Sequence, residues 1–286
     1  MIENYLELKD VCKTFPGFTL NNINLTLPKG YIMGLVGPNG AGKTTTIQLI
    51  LNMLEKDSGE ILVLGKDNVK NDKAIKQDIG VAFDNIFFVG RWTVGDTEKA
   101  ISIFYDNWNH NTYKEMTERF GLPMKKRVED LSRGMQMKLM LACAFSHNAK
   151  LLILDEPTSG LDPVTRDDFL EILQEYIKDG ERSVLFSTHI TTDLERVADY
   201  ITFIDNGNMF YSGSTEELIN NYRIIKGKPK DLTADLEKKI IGLRRTDVNF
   251  EGLISTDETT QYQNCIVDVP TIDDILISAT KKGERK

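Results

Sequence analysis

Cysteine is scarce in this chain. Its three residues, Cys12, Cys143 and Cys265, lie far apart, with no C-x-x-C pair and no histidine cluster beside them; that argues against a disulfide framework or a zinc site. Positive charge is also short: 35 Lys and Arg against 43 Asp and Glu leave a formal net charge of −8 and a pI of about 5.1. A broad electrostatic grip on nucleic acid is therefore not expected, and the chain's own field offers no attraction to anionic lipid. No apolar run approaches the ~18–20 residues that cross a bilayer. The opening MIENYLELKD has neither a basic flank nor an apolar signal core. The expected location is cytosolic, with a protein partner holding the chain if it works at a membrane. Proline and glycine, 8 and 21 of 286 residues, are too few for extended disorder.

What is present is an ordinary globular composition, and the length suits one large core plus a smaller unit. Near the start, YLELKDVCKTF and FTLNNINLTLP alternate apolar positions on either side of Pro16-Gly17, the pattern of two antiparallel strands. YIMGLVG is almost continuously apolar, as a buried parallel strand is, and enters a Gly-rich loop and the helical pattern KTTTIQLILNML. GEILVLG and DIGVAF read as further strands, and from about Thr93 to His147 the pattern is mainly helical, including TVGDTEKAISIFYDNW. Strands return at LLILDE, SVLFSTH and YITFIDNG, separated by helices over Pro163–Lys178 and Thr192–Ala198.

This alternation predicts an α/β fold: a P-loop, mostly parallel sheet with an N-terminal antiparallel β-subdomain and a helical insertion at about 87–147. The nucleotide-binding domain is expected to span 1–220. A small C-terminal αβ appendage is expected over 221–286, with QNCIVDVP as a strand and TIDDILISATKK as a helix begun by Thr271 and Asp274.

GPNGAGKT, from Gly37 through Pro38, Asn39, Gly40, Ala41 and Gly42 to Lys43 and Thr44, fits G-x-x-x-x-G-K-[ST] in full. Glycines let backbone N–H groups turn inward around phosphate oxygens, and the helix N-terminus, with Thr45 in its first turn, adds positive potential. Lys43 reaches the β/γ oxygens and Thr44 can hold Mg²⁺. A Gly-rich turn with a surface lysine would not be framed by a buried strand and a helix. LLILDE ends a buried strand in two carboxylates, where an α/β sheet presents its ligand site. There Asp155 would orient Mg²⁺ through water and Glu156 would polarise the attacking water as general base.

A second phosphate-type element then needs explaining: EDLSRGMQMKLM starts a helix with Ser132-x-Gly134 about ninety residues after the first loop. A plain capped helix would account for it in isolation. In order, however, these residues resemble the ATP-binding cassette family from roughly Leu6 to Leu218. LSRGM is similar to its signature, SGLD (Ser159 to Asp162) to its D-loop, and STH ends at His189 where the family has its switch histidine. Phe15 sits where an aromatic stacks on adenine. The resemblance implies ATP and Mg²⁺ as cofactors and two copies packed head to tail, with the Ser132 hydroxyl and the Gly134 amide meeting the γ-phosphate held by the other copy.

Three positions in two motifs depart from the family pattern. Arg133 and Met135 stand where Gly and Gln are usual, and Asp84 stands where a glutamine usually meets Mg²⁺ and the attacking water. An Asp84→Gln change should accordingly alter the Mg²⁺ dependence of hydrolysis. Ile86, Phe87, Phe88, Trp92, Phe104, Tyr105 and Trp108 fall where the family docks a membrane subunit, although they also suit the insertion's own core. The resemblance extends to ATPases of bacterial ABC-2 exporters of antibiotics and amphipathic peptides, including phenol-soluble modulins. It implies an ATPase subunit, peripheral on the inner membrane face, working with a separate transmembrane permease and a second ATPase subunit. The other readings are a soluble ribosome-associated or a regulatory ABC protein. The first group usually carries two cassettes, and only one is present here; Asp84 keeps the second open.

Overall fold

A computed structural model of the chain describes residues 3–83 and 87–283. Asp84, named above at the glutamine position, lies outside the described residues. The chain opens with β1 (Asn4–Phe15) and β2 (Phe18–Pro28), paired antiparallel, with Phe15 opposite Phe18 across the Pro16-Gly17 turn. β3 (Ile32–Val36) is buried at every residue, as its continuous apolar run requires, and leads through the Gly-rich loop into α1 (Lys43–Ile50). This helix ends four residues sooner than its pattern predicts. Asn52 adopts a left-handed φ of 53°, and the buried Asn68 amide donates to the carbonyls of Leu49 (2.8 Å) and Ile50 (3.1 Å), closing the helix end.

β4 (Ser58–Val63), β5 (Lys66–Asp67), α2 (Asp72–Asp78) and β6 (Ile79–Ala82) follow. The helical insertion holds α3 (Val94–Ser102), α4 (His110–Arg119) and the start of α5 (Arg133–Ser146). Thr93 and Asp96 cap α3 reciprocally. The helical pattern runs on to Trp108, but α3 stops at Ser102. Beyond it the Gln77 amide takes over backbone groups that a helix would have paired, donating to the Phe104 carbonyl at 2.7 Å and accepting from the Asp106 amide at 3.0 Å. Tyr113 on α4 is fully buried and donates its hydroxyl to the Val94 carbonyl at 2.8 Å, tying α4 to α3.

The chain returns to the sheet with β7 (Leu151–Leu154), α6 (Pro163–Ile177), β8 (Ser183–Thr188), α7 (Thr191–Val197), β9 (Tyr200–Asp205), β10 (Asn208–Ser214) and α8 (Thr215–Asn221). The ten strands form one sheet in the order β5-β4-β1-β2-β10-β9-β3-β8-β7-β6. β9, β3, β8, β7 and β6 run parallel, whereas β1 pairs antiparallel with both β2 and β4. β10 joins the two halves, antiparallel to β9 and meeting β2 at Asn208 and Asn21. Its sequence NMFYSGS carries no run of buried residues, so periodicity gave no strand there.

The C-terminal unit is richer in strands than the one strand and one helix expected. β11 (Tyr222–Gly227), α9 (Ala234–Lys239), β12 (Ile241–Arg245), β13 (Phe250–Ser255) and β14 (Ile266–Asp268) build an antiparallel sheet in the order β12-β13-β11-β14. Charged residues and Gly227, Gly242 and Gly252 interrupt these short strands, which hides their period. α10 (Ile272–Gly283) begins with the expected Thr271 and Asp274 pairing. Its Ile272 and Ile275 are buried in the main core, and the Glu195 carboxylate of α7 accepts from the Ile272 amide at 3.1 Å.

Candidate functional site

Parallel strands β3, β8 and β7 are neighbours, so their carboxyl ends open on one edge of the sheet. The Gly37–Thr45 loop leaves β3, His189 follows β8, and Asp155 and Glu156 follow β7. They meet at a cleft of about 400 Å³ lined by Phe18, Asn39 to Thr45, Glu156, Ser159 and His189. Gly42 takes φ 114° immediately before α1, a conformation that only glycine adopts without strain, and so aims the first turn of the helix at the cleft.

Lys43 is buried, and its ammonium is fully engaged. It donates to the carbonyls of Gly37 at 2.8 Å and Pro38 at 3.3 Å and pairs with Glu156 Oε1 at 3.2 Å. Thr44 donates its hydroxyl to Asp155 Oδ2 at 2.9 Å. The other oxygen of Asp155 accepts from the buried Ser187 hydroxyl at 2.6 Å, and Ser187 Oγ accepts from the Glu156 amide at 2.8 Å. His189 Nδ1 lies 2.7 Å from Glu156 Oε2.

Adjacent residues of an extended strand point to opposite faces, yet Asp155 and Glu156 both contact the first turn of α1. The cause is local: Glu156 has a left-handed φ of 49°, which costs of order 1–3 kcal/mol for a residue with a side chain. Surrounding contacts hold the turn in place. Ser187 fixes its amide, and two residues later the buried Thr158 donates to Asp193 Oδ2 at 2.6 Å. Burial pushes the Asp193 carboxyl above its ordinary range, while the Thr158 hydroxyl and the charges of Arg166 and His189 pull it back.

Chemically, the site offers an N–H-rich concavity for polyanionic oxygens, two hard oxygens at Thr44 and Asp155 suited to Mg²⁺, and a carboxylate braced by an imidazole for proton transfer. Ser132 and Gly134 are not on this cleft. Ser132 caps α5, accepting from the Met135 amide at 3.3 Å, and Gly134 packs beside Leu161 and Thr165. Phe18, which the sequence reading did not single out, lines the cleft. Phe15 stands next to it, ring centroids 6.4 Å apart, with the Lys13 ammonium 5.8 Å from its own ring. Ser187, Thr158, Asp193 and Ser159 also escaped the sequence reading as site groups. Ser159 and Ser187 lie inside motifs already quoted, SGLD and STH, whereas Thr158 and Asp193 carry no sequence signal of their own.

A profile of the ABC transporter family matches residues 20–159. The chain is 33% identical over 210 residues, 71% of its length and 85% of the other's, to the ABC transporter ATP-binding protein NatA of Bacillus subtilis. It is 32% identical over 225 residues, 76% of this chain and 96% of the other, to the lantibiotic transport ATP-binding protein SrtF of Streptococcus pyogenes. It is also 32% identical over 193 residues, 67% of this chain and 63% of the other, to the bacitracin transport ATP-binding protein BcrA of Bacillus licheniformis. Among solved structures, the ATP-binding subunit of an ABC transporter superposes with a TM-score of 0.68 at 25% identity, covering 75% of this chain and 91% of that one. The motif order along the chain, the convergence of those motifs on one sheet edge and the extent of these similarities agree: the chain belongs to the ABC transporter family as an ATP-binding protein, a P-loop enzyme that hydrolyses ATP.

Proposed function

We propose that this chain is the ATPase subunit of an exporter, in which ATP joins two copies head to tail and so drives a separate transmembrane permease. The observation that carries the reading is the division of phosphate-type groups between two places. Lys43, Thr44, Glu156 and His189 share one cleft, with Asp155 behind them on the Thr44 hydroxyl, while Ser132 and Gly134 are presented elsewhere, at the start of α5. A second copy turned about a two-fold axis would bring its Ser132 hydroxyl and Gly134 amide to the γ-phosphate held by the first.

In this reading the backbone amides from Gly37 to Thr45, with Pro38 fixing the loop's entry, cradle the β-phosphate. Phe15 stacks on adenine. Thr44 and Asp155, and Asp84 by the family resemblance, would hold Mg²⁺, which would neutralise charge on the phosphate oxygens. Lys43 exchanges the Glu156 carboxylate for phosphate oxygens. Glu156, still braced by His189, then accepts a proton from the attacking water at a carboxylate oxygen.

The names of SrtF and BcrA refer to lantibiotic and bacitracin transport, which supports amphipathic peptides or antibiotics as cargo and a location on the inner membrane face. Among the described residues no helix is long and apolar enough to cross a membrane, consistent with the span belonging to a partner. The unit over 221–286 is read as an appendage to the nucleotide-binding domain over 1–220.

Glu156→Gln tests this reading. With ATP and Mg²⁺ the variant should run as a dimer by size exclusion while turnover falls about 10²–10⁴-fold. Tagged protein from mild-detergent extracts should bring a multi-span membrane protein with it at comparable yield. A monomer under trapping conditions, or recovery with ribosomal proteins, would overturn the exporter assignment.

A further inference from the structure

Arg133 stands at the first helical position of α5. A cation there opposes the helix dipole. The side chain lies back over the turn that follows Glu156. A Cβ built on Gly160 would stand 3.3 Å from Arg133 Cδ, 3.4 Å from Nε and 3.5 Å from Cζ. The arginine thus runs flat across the Gly160 backbone, and glycine's missing side chain provides the seat. Gly160 also has φ 72°, so the same residue makes the turn.

One position along, a Cβ on Gly134 would meet Thr165 Cγ2 at 3.1 Å and Leu161 Cδ2 at 3.4 Å. Thr165 in turn donates to Asp162 Oδ2 at 2.6 Å, and Asp162 caps α6. The turn is therefore wedged between the starts of α5 and α6. Its other end belongs to the nucleotide cleft: Ser159 lines that cleft, and its amide donates to the Glu156 carbonyl at 3.1 Å.

We propose that Arg133 is a positioning residue: by clamping Gly160, it makes the Ser159–Asp162 turn and the Ser132 end of α5 move as one piece. What occupies the cleft of one copy then sets where that copy offers Ser132 to the other. The inference rests on the head-to-tail reading above. The planar guanidinium lies against this seat, and the proposal assigns the effect to its shape.

The test compares wild type, Arg133→Ala, Arg133→Lys, Gly160→Ala and the Arg133→Ala/Gly160→Ala double variant. Three readouts are used: fluorescent-nucleotide binding to the monomer, ATP-driven dimerisation and steady-state turnover. Both Arg133 variants should lower kcat about tenfold, with KM and monomer nucleotide affinity unchanged within about twofold. The double variant should be no slower than the slower single one, because both changes remove the same contact. Wild-type kcat in Arg133→Ala would overturn the proposal, as would restoration by Lys, which would assign the effect to charge. Multiplicative losses in the double variant would overturn it too. If wild type itself forms no ATP-driven dimer, the head-to-tail reading fails and the clamp with it; a normal wild-type dimer with unaffected variants defeats the clamp alone.

Discussion

Lys43 and Glu156 neutralise each other inside the cleft, ammonium to carboxylate at 3.2 Å, with both side chains largely buried. The group suited to bind phosphate is therefore held by the group suited to activate water. On the proposed function, an arriving triphosphate would have to break this pair, which would keep the carboxylate from acting before phosphate is in place.

The pair predicts an affinity effect opposite to that of ordinary site damage. Glu156→Gln removes the carboxylate that competes for Lys43, so ATP binding should tighten about 3–10-fold, the range of one charge-assisted contact. Fluorescent-nucleotide titration of the monomer reads this directly, and weaker binding would show that the pair does not compete with phosphate.

Asp155 holds two hydroxyls, from Thr44 and Ser187, and Ser187 has no exposure to water. Asp155→Ala leaves the Ser187 donor without its acceptor and should cost roughly 1–3 kcal/mol in urea unfolding without nucleotide. Asp155→Asn, which keeps the shape, should cost less in stability. Both should raise the Mg²⁺ concentration needed for half-maximal hydrolysis.

Phe15, proposed to stack on adenine, stands beside Phe18 at the cleft, ring centroids 6.4 Å apart. Stacking on adenine is worth about 1–3 kcal/mol, so Phe15→Ala should weaken ATP about tenfold while leaving inhibition by tripolyphosphate unchanged. If tripolyphosphate weakens equally, the ring supports the loop rather than the base.

His147 predicts a pH effect. It is buried, stacked on Tyr105 with centroids 3.8 Å apart, and its ring nitrogens lie 3.0 Å from the Cys143 carbonyl and 3.1 Å from that of Ile79. Burial pushes its pKa below the ordinary imidazole value, against the opposing pull of the two carbonyls and Asp78. The unfolded chain thus takes up the proton first. The associated stability is complete above about pH 6.5 and is lost as pH falls through the folded-state value. The thermal midpoint should drop between pH 7 and 5.5, with a shallower slope in His147→Gln.

How far the sequence reached is visible in particular elements. β3, β7 and β8 are continuously buried, and such runs declare themselves without a partner; so do the Gly37–Thr45 loop and the Thr271–Asp274 cap, whose geometry depends on residues a few positions apart. β10 and the strands after Tyr222 did not declare themselves, because partly exposed strands interrupted by glycine and charge lose the two-residue period. The end of α3 was hidden for another reason: Gln77, more than twenty-five residues away, supplies the bonds that replace the helix.

For the site, sequence alone determined which residue types could handle phosphate, metal and proton, since these follow from short motifs with their own local backbone chemistry. Tertiary structure decided what those residues face. The strand order β3-β8-β7 aligns three distant loops, and the left-handed turn at Glu156 sends two neighbouring carboxylates to one helix end. The seating of Arg133 on Gly160 joins the signature helix to the same turn. None of these is a property of a local window: each depends on which segments pack side by side, and that is set by burial of the whole core.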